Sequence, residues 1–198
     1  MIPGRNVPLL DCSVNDLLVR FAAKQPAPGG GAAAAFTAAM AAGLLGMAAR
    51  FSTKQLVDSA GRAAQADRLR NQVAALAEQD VEAYQAVLDA FALPRELDPE
   101  GRRAQIRSTL ERAAQIPAEI AEAASGIAIA AVQLAERGNC NLRGDAFTAA
   151  TLAAAAARSA AELVRLNVEL GDLGGDLADQ AARVADVAAD AVAVLNRS

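Results

Sequence analysis

The chain has 198 residues and a net charge of −4 with both signs interspersed, which argues against a broad nucleic-acid footprint. It contains no histidine, which excludes Ser-His-Asp and Cys-His catalysis and argues against a zinc site; no metal is expected. Hydrophobic content is 54% but aromatic content only 3%, and alanine supplies much of it, so closely packed helices are expected rather than a bulky core. The length fits one domain, 1–198.

Residues 1–10 read as an irregular arm. Ser13 with Asp16 forms a capping-box pattern opening a short helix to about Lys24, with Val14, Leu17, Leu18 and Phe21 on one face. The prolines of Pro26-Ala27-Pro28 stop it. Gly29-Gly30-Gly31 makes a corner, by positive φ or close approach, that feeds an alanine-rich helix from 31 to 51. Its first N–H groups are a place for an anion or a polar ligand edge. Gly43 and Gly46 suit backbone-to-backbone contact. The run 29–49 is long enough to cross a membrane, but it is Ala- and Gly-rich with no aromatic belt, so a buried core helix is expected. Lys24 and Lys54, the two lysines of the chain, each end a helix near this region.

A third helix over 57–92 carries an apolar stripe of Leu69, Val73, Leu76, Tyr84, Val87 and Phe91. Asp80 falls within that stripe, either partnered by a neighbouring helix or with a raised pKa; Glu82 falls off it, in solvent. Leu93-Pro94 ends the helix, and Arg95 to Gly101 reads as a charged loop. A fourth helix, 102–137, is interrupted by Pro117 and carries Ile120, Ile127, Val132 and Leu134 in its later half. The turn Gly138-Asn139 leads through Arg143 to Asp145, which reads as the N-cap of a helix over 146–170. That helix bears the ladder Arg158, Glu162, Arg165 and Glu169, the pattern of a solvated face, with Asn167 off the ladder on the face of Leu163. A last helix spans 176–195, with Leu177, Val184, Val187 and Val194 as apolar positions. No strand pattern, P-loop or dinucleotide fingerprint is present. Cys12 and Cys140 read as reduced thiols of a cytoplasmic protein, and no signal peptide is seen.

Four segments occur in the order and spacing of a known group: Pro28-Gly29-Gly30-Gly31 with its alanine-rich helix, Asp80-Val81-Glu82-Ala83-Tyr84 with Leu93-Pro94, Gly138-Asn139 through Asp145-Ala146, and Val164-Arg165-Leu166-Asn167. From about residue 13 to 195 the chain resembles the cyclodeaminase/methenyltetrahydrofolate cyclohydrolase family, which includes the cyclodeaminase half of formiminotransferase-cyclodeaminase. The resemblance implies an all-α antiparallel bundle of five to six helices. It implies a homodimer with the folate site near the subunit interface, and neither a membrane nor a nucleic-acid partner. The implied activity is hydrolysis of 5,10-methenyltetrahydrofolate to 10-formyltetrahydrofolate, with no cofactor beyond the folate substrate. The alternatives are cyclodeamination of 5-formiminotetrahydrofolate, or a non-catalytic folate-binding or interaction module. Asp145, Asp80 and Lys54 are the candidate catalytic groups. Gly29, Gly30, Gly31, Arg143, Arg165 and Asn167 are the candidate substrate-binding ones. The chain departs from the pattern at Ala32, Gly144 and Leu163, each of which removes a polar group near the implied site.

Overall fold

A computed structural model describes residues 7–94 and 98–195. Residues 1–6 of the arm and Arg95–Leu97 of the charged loop lie outside the described residues. Six α-helices account for most of the rest: α1 Val14–Ala22, α2 Gly30–Arg50, α3 Ser59–Ala92, α4 Pro99–Arg137, α5 Arg143–Gly171 and α6 Asp176–Leu195. Among the described residues there is no strand, so the all-α expectation holds.

Cross-helix contacts fix the topology. Ala32 bonds Asp80 while Gly46 packs on Ala66, so α2 and α3 are antiparallel. Gln79 bonds Arg112 and Gln133 bonds Arg62, so α3 and α4 are antiparallel. Asn167 bonds Ala113, and Gly171 lies over Leu110, so α5 runs back along α4. Leu163 lies by Gly30 and Asn139 by Ser52, so α5 is antiparallel to α2 as well. Two polar levels result, one at each end of α2.

The core is built mainly of alanine, as the composition requires. Ala35, Ala38, Ala41 and Ala49 of α2 and Ala149, Ala150, Ala153 and Ala157 of α5 are fully buried, which lets these helices approach closely. Leu110, Ile116, Ile120 and Ile127 of α4 supply most of the bulk. Gly46 contributes to the close contact, since a Cβ at that position would lie 3.4 Å from the Cβ of Ala66; Gly43 instead opens on a surface groove. By length and composition α2 and α4 could each cross a membrane, but 61% of the most apolar window of each is buried within the bundle. That burial is the signature of core helices.

Several expectations shift. On α1 only Leu17 and Phe21 pack inward, with Phe21 edge-on to Phe36; Val14 and Leu18 face solvent. The inner face of α3 is Leu76, Ala83, Val87 and Ala90, while Tyr84 and Phe91 are each 42% exposed, because small residues rather than rings fill the tight α3 seam. The inner face of α6 is Ala181, Ala185 and Ala188, with Val187 and Val194 outside for the same reason. Helix α4 begins at Pro99, earlier than expected, since Asp98 Oδ1 accepts from Gly101 N–H at 2.9 Å and proline suits the first helical position. Pro117 lies inside α4 without ending it.

Candidate functional site at the two ends of helix α2

The first level surrounds the start of α2. The three glycines do not adopt positive φ; among the described residues the glycine with positive φ is Gly174, far from this corner. Close approach is the reason at Gly31. A Cβ there would lie 1.9 Å from Asp80 Oδ1, an impossible overlap, so glycine is what admits the carboxylate. Asp80 Oδ2 then accepts from Ala32 N–H at 3.0 Å, capping α2 from a neighbouring helix. Half-buried, Asp80 has its pKa raised by desolvation, an effect that the Ala32 N–H opposes. Both readings of Asp80 made from the sequence, partnered and perturbed, therefore hold together.

This geometry revises the anion-site expectation. The Ala32 N–H is occupied by a protein carboxylate, so a free anion would meet negative charge here; a cationic or N–H-bearing ligand meets complementary charge. Beside the corner, Gly30, Ala33, Thr37, Ser159 and Leu163 line an open groove of about 450 Å³ between α2 and α5. Leu163 lies 3.6 Å from where a Gly30 Cβ would stand. The groove wall there is accordingly apolar. Asn167, one turn further along α5, donates Nδ2–H to the Ala113 carbonyl at 2.8 Å.

The second level surrounds the end of α2. Ser52, 1% exposed, donates to the Ala48 carbonyl at 2.8 Å and accepts from Asn139 N–H at 2.9 Å. Asn139 Nδ2–H donates to the Phe51 carbonyl at 2.9 Å, and its Oδ1 accepts from Asn141 N–H at 3.0 Å. A side chain at Gly138 would lie 2.5 Å from the Leu134 carbonyl oxygen and 2.9 Å from Ser52 Oγ, so glycine is required there. This clasp sets where α5 begins. A 3-10 turn, Cys140–Leu142, runs straight into α5 at Arg143. Asp145 is therefore not the N-cap expected from the sequence. It sits half-buried in the first turn, where the helix dipole favours a negative charge. Lys54 and Arg143 are exposed at the same end, with no ion pair among the described residues.

The candidate residues thus fall into two groups. Gly29, Gly30, Gly31, Asp80 and Asn167 gather at one end of α2, and Lys54, Arg143 and Asp145 at the other. The 21 residues of α2 span roughly 30 Å at 1.5 Å per residue, so Asp80 and Asp145 do not meet within one protomer. Arg165 joins neither group. Its guanidinium is held between Glu162 and Glu169 on the exposed face of α5, as the ladder pattern suggests. The Glu162 carboxylate beside it raises its pKa, and Arg165 in turn lowers that of Glu162. Ser52 is the residue of these two levels that sequence reading passed over. Its only signal was its place just after the last alanines of α2.

The fold and the two polar levels define an all-helical domain of antiparallel helices with its polar groups gathered at helix ends. The family model for formiminotransferase-cyclodeaminase matches residues 13–185, and the chain belongs to that family. It is 32% identical over 155 residues to a methenyltetrahydrofolate cyclohydrolase of Methylorubrum extorquens, covering 74% of each chain. It is also 32% identical over 160 residues to the formimidoyltransferase-cyclodeaminase of Mus musculus, but spans 29% of that protein's length. Its backbone resembles the crystal structure of a formiminotetrahydrofolate cyclodeaminase from Thermotoga maritima. The TM-score is 0.76 at 23% identity, covering 95% of this chain and 99% of that one.

Proposed function

We propose that this chain hydrolyses 5,10-methenyltetrahydrofolate to 10-formyltetrahydrofolate. The observation that carries the reading is the alignment with a cyclohydrolase over 74% of both chains, against 29% of the bifunctional mouse protein. The chemistry of the first level supports it. The methenyl bridge is a delocalised cation, and the half-buried carboxylate of Asp80 lies against Gly31 with Oδ1 unpartnered among the described residues. Its raised pKa makes it a stronger base than an ordinary carboxylate. Asp80 takes a proton from water as its oxygen attacks the methenyl carbon. The C–N5 bond then breaks, N5 takes up a proton, and the formyl group stays on N10. One proton is released per turnover.

The second level enters through a partner. The outward ridge of α2 (Ala33, Thr37, Met40, Leu44, Met47) is uncharged and mostly apolar, and Met40 is 59% exposed. In the proposed homodimer this ridge packs against its two-fold mate with the α2 helices antiparallel. The Asp80 end of one protomer then meets the Asp145, Lys54 and Arg143 end of its partner. Asp145 would stabilise the cation, Lys54 would donate to the pterin carbonyl, and Arg143 would hold the glutamate tail. Following the loss of methenyl absorbance against the spontaneous rate tests the reading; a rate no faster than spontaneous rejects it. Mixing Asp80→Asn with Asp145→Asn protomers tests the shared site. A shared site recovers about a quarter of the wild-type rate, because half the dimers are mixed and each then holds one intact site. A site within one protomer recovers none.

A second reading has its own support. Leu163, where the family resemblance implies a polar group, gives the groove an apolar wall beside Gly30, which favours folate binding without turnover. Binding of tetrahydrofolate by a chain with no excess hydrolysis would select it. Ammonia release from 5-formiminotetrahydrofolate would select the cyclodeaminase instead.

A further inference from the structure

Pro117 carries no N–H, so the carbonyl of Ala113, four residues back in α4, loses its ordinary helical donor. Ala113 is buried, and an unmet carbonyl there would be costly. Asn167 of α5 meets it, donating Nδ2–H at 2.8 Å. A carbonyl can only accept, so the amide cannot turn over without setting oxygen against oxygen. The consequence falls on the other half of the amide. Oδ1 is held away from Ala113 and has no partner among the described residues. Asn167 lies one turn beyond Leu163, the residue that faces Gly30, and so shares its side of α5. Arg112, beside Ala113, bonds Gln79, beside Asp80, so Ala113 and Asp80 stand at a similar height along α4 and α3.

We infer that Pro117 and Asn167 work as a pair: the proline orphans the Ala113 carbonyl so that Asn167 is fixed as a hydrogen-bond acceptor at the head of α2, where it reads an N–H donor on the ligand's ring edge. The inference rests on the folate reading, since a pterin ring offers an exocyclic amine and ring N–H groups to such an acceptor. Asp80 and Asn167 then present acceptors alone, and the level selects a donor-bearing, cationic ring over an anion. Pro117 touches no ligand and is a positioning residue.

Pro117→Ala tests this, because the new backbone N–H of residue 117 competes for the Ala113 carbonyl and frees the amide. The first readout needs no ligand. Hydrogen exchange of the Asn167 side-chain amide, followed by NMR on the full chain, should speed up by about tenfold in Pro117→Ala. Unchanged exchange overturns the pairing. The second readout is hydrolysis of methenyltetrahydrofolate. KM should rise about fivefold, the effect of one neutral hydrogen bond, with kcat within about twofold and no fall in Tm. In an Asn167→Ala background the same substitution should leave KM unmoved. A freed amide with unchanged KM overturns the acceptor role. Should Pro117→Ala fail to fold, Asn167→Gln, whose longer amide displaces the acceptor, must raise KM by a similar factor or that role falls. If the wild-type chain neither binds nor turns over the folate, the folate reading and the acceptor role fall together, while the exchange experiment still decides the pairing.

Discussion

The two ends of α2 are built on opposite plans. At its start, neighbouring helices reach in: Asp80 of α3 caps the Ala32 N–H, and Asn167 of α5 holds the Ala113 carbonyl of α4. Polar groups there are half-buried and committed to backbone partners, so their positions are fixed and the pKa of Asp80 is shifted. At its end, Ser52 and Asn139 tie the helix to the next turn, and the charged groups Lys54 and Arg143 stand in solvent. Under the proposed function the contrast separates two jobs. A fixed, perturbed carboxylate suits proton transfer, whereas exposed cations suit capture of a charged tail.

The sharpest way to break that contrast is to neutralise each carboxylate in turn. Asp80→Asn is expected to lower the rate of methenyl hydrolysis by about a hundredfold or more, the scale of a lost general base. Asp145→Asn should reduce it by a similar factor, the scale of a lost electrostatic stabiliser, and an intact rate in Asp145→Asn would remove that residue from the site. Gly31→Ala comes next. Its Cβ would overlap Asp80 Oδ1, so the carboxylate must leave the Ala32 N–H. A loss of about 1–3 kcal/mol in denaturant unfolding is expected, with hydrolysis falling alongside. Stability unchanged by Gly31→Ala would show that the close approach is not required.

At the other end, Ser52→Ala removes the acceptor for the Asn139 N–H, and about 1–2 kcal/mol should be lost. The smaller effects concern charge. Because the folded-state pKa of Asp80 is raised above the ordinary 3.8, its contribution to stability is complete below that value. It is lost as pH rises through the folded pKa. Unfolding measured across that window should show Asp80→Asn gaining stability relative to the parent chain as pH rises. Arg165→Ala should change neither Tm nor KM detectably, since its partners and its guanidinium are all exposed. A rise in KM would return Arg165 to the site.

Much of the helical fold was legible in the chain itself. Proline and glycine punctuation placed the helices to within a few residues, and the alanine content announced close packing. The surface role of the Arg165 ladder was legible too, because i,i+3 and i,i+4 charges meet on any helix. Other features were not legible. Tyr84 and Phe91 share the periodicity of buried positions, and only the narrowness of the alanine seam excludes their rings. Asp145 had the look of a cap until the turn over Cys140–Leu142 started α5 at Arg143, ahead of it.

By itself the sequence determined which stretches become helices and that Asp80 would lie on an inward face, because propensity and periodicity are local properties of the chain. The tertiary structure alone decided what Asp80 meets there. An overlap at Gly31, a cap on Ala32 and an amide drawn to an orphaned carbonyl each join residues about 50 positions apart. No local rule encodes such pairings; they follow from which helices pack side by side and at what level.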